Sequence, residues 1–121
     1  MPNRILKERL LRDMRVDKLS DFEECTLCRL LLAVDDFGNI DGRPNYLKSI
    51  LYPTKEGVET EQILAAFARL TELGLVTPYE VDGATYFHFT DFENDQKLRY
   101  RKCVFPKLET DAKQKLMEML K

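Results

Sequence analysis

The feature that most constrains the fold is a pair of β-rich segments joined by Asp82-Gly83. They cover residues 75–81 and 84–89, and both are rich in the β-branched and aromatic side chains that strands prefer. Asp-Gly suits the centre of a type I′ turn, because both central residues of that turn have positive φ. The sequence therefore predicts an antiparallel β-hairpin at this position.

The first helical signal in the chain is a capping box, in which Ser20 is followed three residues later by Glu23. The predicted helix continues to Val34 and is apolar nearly all round, so we expect it to be the central buried helix. A turn-forming cluster of Asp, Gly and Asn ends it. Ile40 is then expected in a short strand.

Two further helices are predicted between this strand and the hairpin. The first begins at Arg43-Pro44, because proline suits the first helical turn, and it stops at Pro53. The second covers residues 60–73, where apolar residues recur at helical spacing. We expect Thr60 to cap its start and Gly74 to end it in the left-handed conformation.

Helix, short strand, helix, helix and hairpin is the element order of the winged helix-turn-helix, a mostly helical α+β fold. Its second and third helices form the helix-turn-helix, which reads DNA because a helix fits the major groove, and the hairpin is the wing. The length of 121 residues fits one domain, which we place at residues 1–107. Residues 108–121 are expected to form a C-terminal helix that packs on the domain or leads to a partner or a missing region.

The formal net charge of −2 conceals two positive regions on either side of a negative one. The N-terminal arm (residues 1–18) holds six bases and three acids, and the centre (residues 19–94) holds five bases and fourteen acids. The post-wing segment (residues 95–107) holds five bases and one acid. One interpretation is ordinary solvated surface. The other is that the arm and the post-wing segment form one cationic patch that attracts phosphates in a salt-dependent manner.

Short motifs in a fixed order extend over residues 3–107. They are Arg4-Ile5-Leu6-Lys7-Glu8-Arg9, Leu19-Ser20 with Glu23-Glu24, Asp35-Asp36-Phe37-Gly38, Arg43-Pro44, Leu73-Gly74-Leu75-Val76, Tyr79 with Val81-Asp82-Gly83, and Asp91-Phe92 with Gln96, Arg99, Arg101-Lys102 and Phe105-Pro106. In this order they resemble the N-terminal winged-helix domain of phage-type replication initiation proteins, or replisome organisers, and of the related DnaD-type primosome proteins. Phe92 stands where that family would have tryptophan. The resemblance implies DNA binding in replication, with DNA and replication proteins as partners.

We expect phosphate contacts from basic side chains in the arm, the helix-turn-helix and the post-wing segment. They are Arg4, Lys7, Arg9, Lys48, Lys55, Arg69, Lys97, Arg99, Arg101 and Lys102. Gln62, on the outward face of the third helix, is the candidate for reading a base edge. Glu59 and Glu61 oppose DNA contact there, because they would repel phosphate. Tyr100 either stacks on an unpaired base or packs against the domain.

No arrangement of residues typical of an enzyme is evident. The chain has a single histidine and no glycine-rich phosphate loop. Cys25-x-x-Cys28, with His88 and Cys103, superficially resembles a metal set, but the pair lies inside a predicted buried helix and is interpreted as core. We expect no catalysis, no metal and no cofactor. Three acidic residues are expected to cap and turn rather than to bind calcium: Asp35, Asp36 and Asp41.

Residues 1–4 are followed by no apolar stretch of the kind that a secretory signal needs. The longest uninterrupted apolar run, Leu30 to Val34, is far shorter than the ~20 residues of a membrane span. We therefore expect no membrane contact and a cytoplasmic location with reduced cysteines.

Two alternatives stay open beside the DNA-binding prediction. In the first, the chain is a protein-interaction or self-association module of a replisome or transcription complex, and its acidic centre docks a basic partner or a second copy. In the second, it is a transcriptional regulator with the same fold, which predicts a stable dimer on one palindromic duplex. The sequence does not distinguish double-stranded from single-stranded DNA.

Overall fold

The computed structural model describes residues 4–92, 96 and 104–106. Within these ranges the chain forms four α-helices, one 3-10 helix and one three-stranded antiparallel sheet. The 3-10 helix is Glu8–Arg12, and the α-helices are α1 (Met14–Asp17), α2 (Asp21–Ala33), α3 (Pro44–Leu51) and α4 (Thr60–Glu72). The strands are β1 (Asn39–Asp41), β2 (Val76–Val81) and β3 (Ala84–Phe89). The predicted order of helix, strand, helix, helix and hairpin is confirmed.

The arm carries the 3-10 helix and the short α1. Asp13 caps α1 by accepting a hydrogen bond from the backbone N–H of Arg15 at 2.9 Å. Val16 is buried in the core, so α1 fastens the arm to the domain. The C-terminal helix expected at 108–121 lies outside the described residues.

Helix α2 begins at the predicted capping box. The Ser20 hydroxyl accepts from the backbone N–H of Glu23 at 3.2 Å, and the Glu23 carboxylate accepts from that of Ser20 at 2.9 Å. The expectation of burial all round is wrong. Helices α3 and α4 pack on one side of α2, whereas Leu32 is 54% exposed, Cys25 is exposed and Cys28 is half-buried. The cysteines therefore line an outer side of the helix rather than the core.

Helix α3 starts with Pro44 in its first turn, as predicted. Helix α4 is capped by Glu59, so the assignment of Thr60 as its cap is wrong. The Glu59 carboxylate accepts from the backbone N–H of Gln62, and the Gln62 side chain accepts from that of Glu59 at 2.7 Å. This reciprocal arrangement satisfies two of the donors that the helix leaves open at its start, which a single hydroxyl cap does not. Gly74 adopts φ +77° and ends α4, as expected.

The sheet has the strand order β1-β3-β2, so the middle strand is the second strand of the hairpin. Asp82 and Gly83 have φ values of 52° and 81°, which confirms the predicted type I′ turn. The inner face of the sheet packs on the helices, where the rings of Phe67 in α4 and Phe87 in β3 meet edge to face at 4.7 Å.

Candidate nucleic-acid interface

The exposed start of α4 is acidic, and side chains there form the cap of the helix. Because the side-chain oxygen of Gln62 accepts from Glu59, this residue is already engaged in holding the helix start. Glu61 is exposed one position earlier. At the other end of α4, Arg69 pairs with Glu72 at 3.1 Å. The structure thus places Gln62, the predicted base-reading residue, in the cap of the helix. It pairs Arg69, a predicted phosphate contact, with a carboxylate.

Two lysines predicted to contact phosphate belong to the helix pair. Lys48 is half-buried in the last turn of α3, and Lys55 is exposed in the loop that joins α3 to α4. Both lie at the α3–α4 connection rather than on the outward face of α4. They add positive charge beside a helix whose own start is negative.

Arg4 is buried rather than exposed. Its side chain is 2% exposed, donates to the carbonyl oxygen of Val34 at 2.9 Å, and pairs with Asp36 at 3.1 Å. The guanidinium also lies 5.3 Å from the centre of the Phe92 ring. These contacts fasten the start of the arm to the end of α2, so the structure gives Arg4 a structural position where the sequence predicted a phosphate contact.

A cluster of four charged side chains holds the middle of the arm to the end of the hairpin. Arg15 pairs with Asp13 at 2.7 Å and with Asp91 at 2.8 Å. Arg9 pairs with the same two acids at 3.3 and 3.6 Å, and its side chain is 44% exposed. The hydrogen bond from the Arg15 side chain lowers the pKa of Asp13 from 3.8 to about 2. Asp13 therefore stays ionised at neutral pH and offsets part of the arm's positive charge.

Besides Arg9, the exposed bases among residues 4–12 are Lys7 and Arg12. Arg12 pairs with Glu8 at 2.9 Å along the 3-10 helix, with both side chains open to solvent. Lys7 is exposed immediately before that helix. Among the arm's predicted phosphate contacts, Lys7 and Arg9 are the two that the structure places at the surface.

The post-wing segment begins against the arm. Gln96 is 1% exposed, and its carboxamide pairs with the backbone of Ile5 in both directions. The backbone N–H of Ile5 donates to its oxygen at 3.0 Å, and its nitrogen donates to the carbonyl of Ile5 at 2.6 Å. A buried amide whose hydrogen bonds are satisfied in this way fixes the start of the post-wing segment to the arm.

Further along, the post-wing segment is held by Asp35, which follows α2 and is 6% exposed. One carboxylate oxygen accepts from the backbone N–H groups of Phe37 and Asn39 at 2.9 and 3.1 Å. The other accepts from Val104 and Phe105, both at 3.0 Å. The prediction that Asp35 caps and turns is confirmed by the first pair. The second pair joins residues almost seventy positions apart, which no spacing rule reveals.

The ring of Phe105 covers the outer side of the sheet. It packs against Tyr46 of α3 at 6.2 Å and Tyr86 of β3 at 6.5 Å, between ring centres. The next residue, Pro106, presents its carbonyl oxygen to the Tyr79 hydroxyl and to the side-chain nitrogen of Asn39. The distinctive Phe105-Pro106 motif of the sequence is therefore a docking contact.

Four of the predicted phosphate contacts lie outside the described residues: Lys97, Arg99, Arg101 and Lys102. Tyr100 and Cys103 lie there too. They fall between Gln96 and Val104, both of which the structure describes. Sequence reasoning found this charge and missed both of its anchors, Gln96 and Asp35. The only sequence signal for Asp35 was a turn-forming cluster.

The described part of the chain contains no cluster of His, Cys, Asp or Glu suited to holding a metal ion. Burial raises the pKa of the Cys28 thiol, which disfavours the reactive thiolate. No helix within the described ranges is long and apolar enough to cross a membrane. Comparisons with protein-family models, with curated proteins and with solved structures gave no match.

Proposed function

We propose that this chain is a winged-helix DNA-binding domain of a phage-type replication initiation protein, acting in the cytoplasm of a bacterial host. It contacts phosphates mainly through the post-wing segment and the arm, and it carries no chemistry of its own. The observation that carries the proposal is the joining of these two basic segments. Gln96 pairs with Ile5, and the loop after α2 holds Arg4 through Asp36 and Val104 through Asp35.

The arrangement of elements supports the winged-helix assignment. Helices α3 and α4 pack together, and the β2–β3 hairpin follows α4 directly, as the helix-turn-helix and wing of that fold would. The motif order that resembles replisome organisers supports the role in replication. Because the start of α4 is acidic, we propose that backbone contacts by the two basic segments, rather than base reading by α4, supply most of the affinity.

The proposed phosphate contacts are basic side chains of the arm, the α3–α4 connection and the post-wing segment. They are Lys7, Arg9, Lys48, Lys55, Lys97, Arg99, Arg101 and Lys102. Arg4, Gln62 and Arg69 are not among them, since each is engaged with a protein group. Arg9 is kept despite its ion pairs, because its side chain is 44% exposed.

The test is fluorescence anisotropy with a labelled random duplex and a labelled single strand, each titrated at several salt concentrations. We expect micromolar binding that weakens steeply as salt rises, and the preferred strand identifies the DNA to pursue. Absence of binding at low salt would contradict the proposal. Tight binding to one palindromic duplex by a stable dimer would instead favour a transcriptional regulator.

A second candidate function is protein docking through α4. Its exposed start carries Glu59 and Glu61, and Leu64 is 40% exposed on the same helix. An acidic rim beside an apolar side chain suits a basic partner or a second copy of the chain. Sedimentation of the unmodified chain and of Glu61→Lys, with and without DNA, tests this. Self-association that Glu61→Lys abolishes would support it, and a monomer at high concentration would count against the second copy.

A further inference from the structure

We propose that Asp35, although acidic, is required for DNA binding, because its carboxylate holds Val104 and Phe105, which directly follow the basic stretch 97–103. This inference rests on the proposed function above. Asp35 is a positioning residue, since its contacts are to protein backbone and not to phosphate. General electrostatics predicts the opposite sign, because removing a negative charge from a protein strengthens its attraction to a polyanion.

The two carboxylate oxygens of Asp35 accept hydrogen bonds from two different parts of the chain. One oxygen closes the loop after α2 by accepting from Phe37 and Asn39. The other oxygen accepts from Val104 and Phe105, two consecutive N–H groups at equal distances of 3.0 Å. Hydrogen bonds to an ionised carboxylate are shorter and about twice as strong as neutral ones. An oxygen that carries charge is therefore well suited to holding two donors at once.

The opposite end of the stretch is held independently. Gln96, the residue before Lys97, pairs with the backbone of Ile5 in the arm. Gln96 and Val104, the residues on either side of the stretch, are therefore both held to the protein, so the stretch is tethered at both of its ends. Loss of one anchor lowers the effective concentration of these bases at a bound phosphate backbone.

Asparagine at position 35 separates the two functions of the carboxylate. Its single side-chain oxygen can still accept from Phe37 and Asn39, as Asp and Asn do in turns. Its NH₂ group would then face the N–H groups of Val104 and Phe105, donor against donor, and those two hydrogen bonds would be broken. The side chain is almost unchanged in volume, so the packing around the 6% exposed site is preserved.

The experiment compares the full chain with Asp35→Asn, with Phe105→Ala and with Asp17→Asn. Asp17→Asn is the matched control, because it removes the same charge from an exposed residue of α1. Phe105→Ala removes the ring that packs against Tyr46 and Tyr86 and leaves the charge unchanged. Each variant is titrated with a random duplex over a range of salt. Amide hydrogen exchange of Val104 and Phe105 reports the anchor itself, and exchange in α4 reports the fold.

We expect Asp35→Asn and Phe105→Ala to bind DNA about tenfold more weakly, with a shallower salt dependence, while Asp17→Asn binds as well as the unmodified chain or better. Protection at 104 and 105 should fall in Asp35→Asn, with α4 unchanged. A merely structural role would weaken binding without changing the salt slope. Binding by Asp35→Asn that equals or exceeds that of Asp17→Asn would overturn the inference.

The outcomes also separate this inference from the proposed function. If the unmodified chain does not bind DNA, the proposed function is wrong, and the DNA role of Asp35 falls with it. If the chain binds DNA and Asp35→Asn loses protection at Val104 without weaker binding, the proposed function stands and the positioning role is wrong.

Discussion

The arm and the post-wing segment are alike in composition and differ in how the structure uses them. Each is rich in bases and net positive. In the arm, several bases form ion pairs that help to fasten it to the domain, such as Arg4 with Asp36 and Arg15 with Asp91. In the post-wing segment, the described anchors are the uncharged groups of Gln96, Val104 and Phe105. Positive charge that binds the protein's own acids is not free to bind phosphate.

The comparison predicts that the post-wing segment dominates DNA binding. Replacing Lys97, Arg99, Arg101 and Lys102 together by alanine should reduce the log–log salt slope by up to about 3.6, or about 0.9 for each phosphate that the variant no longer neutralises. We expect the affinity at low salt to fall by about a hundredfold or more.

The matched control changes the arm instead. A Lys7→Ala, Arg9→Ala, Arg12→Ala variant removes three bases, of which Arg9 and Arg12 are paired with acids. Its slope should change by less than that of the four-base variant, because Arg9 and Arg12 already pair with acids of the chain. Equal changes of slope in the two variants would contradict the expectation that the post-wing segment dominates DNA binding.

The second prediction concerns Arg4, which should matter for stability and not for DNA. Arg4→Met keeps an apolar chain against Phe92 and removes the ion pair with Asp36. The Asp36 side chain is 12% exposed and can recover some hydration, so we expect a loss of about 2 kcal/mol, below the range for a fully buried pair. Urea unfolding measures this loss. A fall of about 0.9 in the salt slope of DNA binding by Arg4→Met, on the other hand, would mean that Arg4 does contact phosphate.

The third prediction is a pH dependence in the arm. Because the pKa of Asp13 is lowered from 3.8 to about 2, its ionised form stabilises the folded chain. This contribution is fully present above pH ~4 and is lost as the pH falls through about 2. Asp13→Asn keeps the cap of α1 and removes the charge. We expect it to lower the free energy of unfolding by about 0.5–1 kcal/mol at pH ~7, because solvent screens this pair.

The measurement for Asp13 is urea unfolding of the unmodified chain and of Asp13→Asn between pH ~7 and pH ~2.5, together with NMR titration of the carboxyl group. The difference between the two proteins should shrink as the pH falls. A constant difference over this range, or a titration midpoint near 3.8, would contradict the assigned contact with Arg15.

The smallest effect is expected from the exposed pair of Arg12 and Glu8, whose side chains are 76% and 73% exposed. Arg12→Ala should change the free energy of unfolding by no more than about 0.5 kcal/mol, because water and salt screen such pairs. The same denaturation series measures it. A loss near that of Arg4→Met would mean that exposed and buried pairs of the arm are equivalent.

Signals between near neighbours in the chain were sufficient to predict helices α2, α3 and α4 and the three strands, but not the 3-10 helix and α1 of the arm. The Ser20–Glu23 box, proline in the first turn of α3, Gly74 after α4 and the Asp82-Gly83 turn all act over four residues or fewer. Each of these features is stabilised by residues that are neighbours in the sequence, so the sequence alone predicts it. The one local error was the cap of α4, where Glu59 with Gln62 was preferred to Thr60. Two capping interactions there outweighed one.

The availability of charge was decided only by the tertiary structure. The sequence by itself determined that the arm and the post-wing segment are basic, that the centre is acidic, and in which order the elements follow. It did not determine that Arg4 is buried or that Asp35 holds residues almost seventy positions away. A charge is free or neutralised according to its partners in space, and long-range pairing in the fold chooses those partners.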